Sequence, residues 1–203
     1  EVGGISFYDM QEFHQAWVLS RMRVEIATLP KWGDIVTVKT WINSLENSRS
    51  VRALEMYVNG KKIVGSETFW AVFNTQLRRP EGLALPYDHF ELFPEMRATE
   101  EGFSKININH EKEAVFEKMV YLSDLDIVNH VNNVKYLEWC LDYVDEKRIL
   151  RKEVKSFEMN FMKELSLKDT VVIHESENEN NSATTFSITK KDKTCFALQL
   201  NWK

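Results

Sequence analysis

Cysteine is nearly absent: only 2 of the 203 residues carry a thiol. Cys140 and Cys195 both lie in apolar patterns, so a disulfide framework is excluded and a reducing, cytoplasmic setting is expected. No cysteine pair stands at metal-ligand spacing, and His14, His89, His110, His130 and His174 are scattered. A metal centre is therefore not expected, and no cofactor is called for. There is no basic block, and the formal net charge is -5, which argues against nucleic acid as a partner. An acidic partner would need a local basic patch. No run is apolar for long enough to cross a membrane as a helix. The first residues, EVGGISFYDM, lack the basic start and apolar core of a targeting peptide.

What the chain does have is a core. Hydrophobic residues make up 43%, with 12 Phe and 6 Trp, enough for a large packed interior or an apolar ligand cavity. Alternating runs predict strands over 17–26, 35–44, 52–58 and 62–73. Pro30 and Gly33 mark a turn between the first two, and Asn59-Gly60 predicts a type I′ hairpin between the last two. Three of the 4 prolines, Pro80, Pro86 and Pro94, fall in a stretch of little period, so residues 77–112 read as a linker. The second half predicts a strand over 114–122, a helix over 129–144, then strands over 156–163, 170–177, 183–190 and 194–202. Polar turns separate these strands, as in an antiparallel sheet.

A weak repeat relates the halves. Adding 135 to the numbering lays Val24-Glu25-Ile26 on Met159-Asn160-Phe161, and Asp34 to Val38 on Asp169 to Ile173. Each half then has four strands in one order, but the counterpart of the 129–144 helix falls before residue 1. The expectation is that preceding residues, or something else, cover that sheet face.

The rest is organised around YLSDLDIVNHVNNVKYLEWCLDYV, Tyr121 to Val144. Val131, Val134, Leu137, Leu141 and Val144 recur at helical steps and predict one buried face. Asp126 and His130 then stand on the loop and first turn, where free N–H groups and the positive end of the helix dipole point out. An oxygen gaining charge is stabilised in such a place, and an Asp and a His there handle protons on water. The same residues are also ordinary helix caps.

DLDIVNHVNNVKYLEW resembles the signature of acyl-ACP thioesterases, D-x-N-x-H-V-N-N-x-K-Y before an aromatic-containing helix. Asp126, His130, Val131, Asn132, Asn133, Lys135, Tyr136 and Trp139 match. Val128 stands where that family has Asn, with Asn129 next to it. WVLSRMRVEI, PKWGD, FWAVFN with Arg78-Arg79, and Asn201-Trp202 match in order. NFMKELSLKDTV places Glu164 on the family's Glu and Leu165 where plant members have Cys.

The resemblance implies an α+β tandem hot-dog fold, with the first half's helix missing from this sequence. Residues 1–76 would form the acyl-chain half, 77–112 the linker, and 113–203 the half with the catalytic residues. It implies hydrolysis of fatty acyl-acyl carrier protein, ending chain elongation. Asp126, His130 and Glu164 form the expected acid–base set. Backbone N–H groups of Val131 and Asn132 are the expected oxyanion donors, with Asn129 and Asn133 supporting the loop. Arg78, Arg79 and Lys135, then Arg148, Arg151 and Lys152, are candidates for docking the acidic carrier. A homodimer is the assembly carried as an expectation. An acyl-CoA thioesterase and a non-catalytic acyl-binding protein remain the alternative readings.

Overall fold

The structure, a computed structural model, describes residues 4–108, 113–151, 153–178 and 182–203. His110, Lys152, the end of the expected linker and the middle of the 178–182 turn lie outside these residues. The chain divides into two compact units, 1–103 and 104–203.

In the first unit, α1 (Phe7–Gln11) precedes β1 (Gln15–Ile26), β2 (Val36–Glu46), β3 (Arg49–Val58), β4 (Lys61–Asn74) and the two-residue β5 (Arg79–Pro80). The strands lie in the order β2-β3-β4-β1, all antiparallel, with β5 on β4. The β3–β4 hairpin is the expected one: Asn59 and Gly60 have φ of 51 and 77°, and Val58 pairs with Lys61. Among the described residues, the five-residue α1 is this unit's helix.

The second unit runs β6 (Glu113–Met119), a 3₁₀ turn (Leu122–Asp124), α2 (Asn133–Leu141), α3 (Glu146–Leu150), β7 (Val154–Phe161), β8 (Thr170–Glu177), β9 (Ala183–Lys190) and β10 (Lys193–Trp202). Its strand order is β7-β10-β9-β8-β6. The 135-residue offset carries β1 to β4 onto β7 to β10, and β8-β9-β10-β7 repeats the order β2-β3-β4-β1. The β9–β10 turn, Lys191-Asp192, again has two residues at positive φ, 49 and 59°.

The second unit's core follows from strand alternation. Val171 and Ile173 of β8, Phe186 and Ile188 of β9, and Phe196 and Leu198 of β10 are fully buried. Each such side chain stabilises the fold by roughly 1.5–3 kcal/mol relative to exposure. On this sheet lies α2, through Tyr136, whose ring is 5.1 Å from Phe196 and 5.8 Å from Phe161.

The expected helix over 129–144 is shorter in fact and turned differently. It begins at Asn133, capped by Asn132, and ends at Leu141, after which Asp145 caps α3. Its buried residues are Tyr136, Trp139 and Cys140, while Val134 is 57% exposed. The valine stripe failed because Val131 lies before the helix, and the larger aromatic rings take the sheet-facing side.

The proline-bearing stretch is not a free tether. Residues 81–101 cross the first unit's sheet, held by side chains that reach their backbone. Gln15 donates to the Glu81 carboxylate and the Gly82 carbonyl and accepts from the Ala84 N–H. Asn43 donates to the carbonyls of Phe93 and Met96. Glu67, 2% exposed, receives Arg97 through two donors at 2.7 and 2.8 Å and the Ala98 N–H at 3.1 Å. Glu25 accepts the N–H groups of Glu100 and Glu101. Composition could not reveal this, because the anchors come from strands far away in sequence.

Gly65 makes the crossing close. A Cβ there would stand 1.9 Å from the Ala98 carbonyl oxygen, which also accepts from Lys62 at 2.7 Å. Gly65→Ala is expected to lower unfolding free energy in urea by about 1–3 kcal/mol, as overpacking does. An unchanged urea midpoint would show that the strap is not seated on this glycine.

Candidate active site

The loop before α2 is a small hairpin. Asn132 N–H donates to the Asp124 carbonyl at 2.9 Å, Leu125 bridges Val131, and Asp126 N–H donates to the His130 carbonyl at 2.8 Å. Ile127, Val128 and Asn129 form its tip, closed by Asn129 N–H donating to the Asp126 carbonyl at 3.1 Å. Asn129 has φ of 64°, the left-handed position that ends three-residue hairpin loops and that asparagine tolerates. Asp126 Oδ1 accepts the N–H groups of Val128 at 2.9 Å and His130 at 3.1 Å.

The outer side of this hairpin pairs with the loop between β7 and β8. Val131 N–H donates to the Leu165 carbonyl at 2.9 Å, and His130 bridges Ser166. Residues 130 and 164 are therefore diagonal neighbours on adjoining extended segments. His130 Nε2 lies 3.6 Å from Glu164 Oε2, with both side chains about one-third exposed, 37% and 31%. That separation is an ion-pair distance, too long for a hydrogen bond. Catalytic contacts are often long without substrate and tighten when it binds.

The Glu164 segment is held at both ends. Met162 and Lys163 donate to the Cys195 carbonyl at 2.8 and 3.1 Å. At the far end Asp169 Oδ2 accepts the Ser166 N–H at 2.9 Å and pairs with Lys190 at 2.6 Å, while Lys168 turns the chain at φ of 66°. Burial pushes the Asp169 carboxyl up, but Lys190 and the Ser166 N–H outweigh it, leaving its pKa below the ordinary value. Burial drives the Tyr136 phenol well up, the Leu165 N–H opposing it. Helix and Glu164 loop thus meet at Tyr136.

The structure brings His130 and Glu164 together, while Oδ1 of Asp126 is turned back into its own loop. The expected oxyanion donors are both engaged: Val131 N–H with Leu165, and Asn132 N–H with Asp124. The N–H groups of Val134 and Lys135 are taken by the Asn132 side chain and carbonyl. Among the described residues at the helix's amino end, the N–H outside these pairings is that of Asn133. Val128 is 41% exposed at the tip. Cys140 and Cys195 are buried and reduced, and burial pushes both thiols up, which suits packing and not nucleophilic attack.

Most docking candidates are committed within the protein. Lys135 pairs with Glu138 at 2.7 Å. Arg78 stands over the Phe73 ring at 5.5 Å, and Arg79 is exposed in β5. Arg148 stacks on Trp202 at 4.2 Å and pairs with Glu177 at 3.4 Å, and Arg151 lies 3.8 Å from Glu153. One supporting cluster was not anticipated. Lys118 spans the Tyr121 and Trp139 rings at 5.3 and 4.9 Å and lies 3.6 Å from buried Asp124, whose Oδ2 accepts the Tyr121 N–H. The available signal was the acid three residues after Tyr121, a capping spacing.

Two family models match the chain: the acyl-ACP thioesterase N-terminal domain over residues 1–86 and the acyl-ACP thioesterase C-terminal domain over 109–203. The chain belongs to the acyl-ACP thioesterase family. It is 28% identical over 174 residues to the oleoyl-acyl carrier protein thioesterase 2, chloroplastic, of Arabidopsis thaliana, covering 80% of this chain and 47% of that protein. It is 26% identical over 180 residues to a palmitoyl-acyl carrier protein thioesterase, chloroplastic, of Gossypium hirsutum, covering 81% and 43%. The chain spans about half the length of these curated relatives.

Among solved structures, an acyl-ACP thioesterase from Bacteroides thetaiotaomicron aligns with a TM-score of 0.89 at 22% identity, over 99% of this chain and 82% of that one. The 12:0-ACP thioesterase from Umbellularia californica aligns with a TM-score of 0.81 at 19% identity, over 96% and 78%. The fold is the α+β tandem hot-dog fold. Among the described residues, no helix is long and apolar enough to cross a membrane.

The lowered pKa of Asp169 gives its pairing a pH window. Its contribution is complete above the ordinary value of 3.8 and is lost as pH falls through the lowered one. Asp169→Asn is expected to melt below the wild type at neutral pH, with the gap closing on acidification. A gap that stays constant down to strongly acidic pH would remove Asp169 from this role.

Proposed function

We propose that this chain hydrolyses the thioester of fatty acyl-acyl carrier protein, releasing free fatty acid and the carrier's thiol. The observation that carries the reading is the opposition of His130 and Glu164 beside the amino end of α2, at 3.6 Å, in a member of this family. The mechanism is general-base attack by water. The water oxygen bonds to the thioester carbonyl carbon as His130 takes its proton, and Glu164 stabilises the imidazolium formed. The carbonyl oxygen, now negative, accepts the Asn133 N–H and faces the positive end of the α2 dipole. As the carbonyl re-forms, the carbon–sulfur bond breaks and the leaving sulfur takes the proton from His130. No group of the protein is acylated, which suits buried, neutral cysteines.

In this reading residues 1–76 take the acyl chain, 77–112 are the linker in sequence, and residues 113–203 supply the catalytic groups. Exposed Arg79 is the best-placed docking charge among those expected, ahead of Arg78 and of Lys135, which is paired with Glu138. A homodimer and a cytoplasmic setting belong to the same reading; the two free cysteines support the latter. A second reading, a non-catalytic acyl-binding protein, is favoured by Val128, an apolar side chain where the resemblance implies an amide.

The test is a panel of acyl-ACPs and acyl-CoAs. The wild type is expected to prefer acyl-ACP, and His130→Ala and Glu164→Gln to lose about 10²-fold or more in kcat, the usual worth of an acid–base group. Faster turnover of acyl-CoA would move the substrate class. Acyl binding with no turnover of either series would establish the binder.

A further inference from the structure

We infer that the end of the second unit's sheet that holds Glu164 is the docking surface for the acidic acyl carrier, through Lys163, Lys168, Lys191 and Lys193. The inference gives the carrier its place in the hydrolase reading and rests on that reading for its kinetic arm. Two connections meet at this end of the sheet. The loop from β7 to β8 passes the ends of β10 and β9, which lie between them: Phe161 pairs with Phe196, Lys193 with Lys190, and Thr189 with Val172. Lys163 and Lys168 stand on that loop, and Lys190, Lys191 and Lys193 on or beside the β9–β10 turn. The two connections are tied together. Met162 and Lys163 donate to the Cys195 carbonyl, and Asp169 pairs with Lys190 at 2.6 Å.

These cations are uncommitted. Lys163, Lys168, Lys191 and Lys193 are exposed, and among the described residues none of the four forms an ion pair. Of the carboxylates on the same two connections, Asp169 is matched by Lys190 and Glu164 faces His130, which leaves Asp192 against the four. On the neighbouring segment, Asp124 is matched by Lys118. The opposite end of this sheet, where β8 finishes and β7 begins, is different. Its arginines are committed: Arg148 to Glu177 at 3.4 Å and Glu153 at 4.0 Å, and Arg151 to Glu153 at 3.8 Å. In a chain of net charge -5, a field that attracts an acid has to be local, and the lysine end supplies one beside the catalytic candidates. Tight turns carry these charges, with Lys168 and Lys191 at φ of 66 and 49°. Exposed charges of this kind steer encounter and set register more than they add affinity.

The test is the double variant Lys191→Glu with Lys193→Glu in the full chain, read on acyl-ACP, acyl-CoA and a carrier-free acyl-pantetheine. On acyl-ACP at low salt kcat/KM is expected to fall about tenfold or more, with kcat little changed and acyl-pantetheine turned over as by the wild type. The gap is expected to close in about 1 M salt, where the screening length is about 3 Å. The neutral pair, Lys191→Gln with Lys193→Gln, is expected to lie between. An unchanged kcat/KM on acyl-ACP, or an equal fall on all three substrates, overturns the inference. So does a fall on acyl-CoA as large as that on acyl-ACP, because the lysines then read phosphate and not the carrier protein. A wild type that hydrolyses nothing removes the hydrolase reading by itself. The affinity of acyl-ACP for the wild type and the glutamate variant then decides the surface, by the same tenfold difference.

Discussion

The site depends on one short stretch of pairing, in which Val131 donates to Leu165 and His130 bridges Ser166. The two catalytic candidates are 34 positions apart in the chain and have no contact of their own shorter than an ion pair. Their side chains meet because their backbones run side by side. Three neighbours hold this stretch: the Tyr136 phenol at the Leu165 N–H, the Cys195 carbonyl at one end, and Asp169 with Lys190 at the other.

A single device recurs across both units. Where the chain leaves regular structure, a carboxylate accepts the backbone N–H groups that would otherwise lack partners. Glu67 and Glu25 do so for the strap, Asp124 for Tyr121, Asp126 for the tip and Asp169 for the Glu164 loop. The chemistry suits the task, since an ionised oxygen holds N–H groups more strongly than a neutral one. It also explains how an acidic chain spends its charge: several carboxylates are internal fasteners, not a field presented to partners.

The strands were legible because alternation is a local property. β8 and β9 fell where the pattern placed them, and the repeat foretold a shared strand order. The helix was overextended because its apolar spacing begins at Val131, which lies in a hairpin that the side-chain-to-backbone bonds of Asp126 impose. Asp126 and Asn129 carried that signal: an Asp beginning a turn and an Asn closing it. The motif resemblance assigns chemistry to the same residues. The engagement of Val131 and Asn132 was not legible, since it depends on Leu165 and on Asp124 across the hairpin. The strap was hidden for the same reason.

The two matching hairpins of the repeat differ in one respect. β3 and β4 are joined by Asn59-Gly60, residues that favour the left-handed turn by themselves, whereas β9 and β10 are joined by Lys191-Asp192, which do not. The first can nucleate from local information. The second takes its stability from the strands it joins, where Phe186, Phe196 and Leu198 are fully buried. Two units with one topology are therefore expected to close their matching hairpins by different first steps, the one from its turn and the other from its sheet.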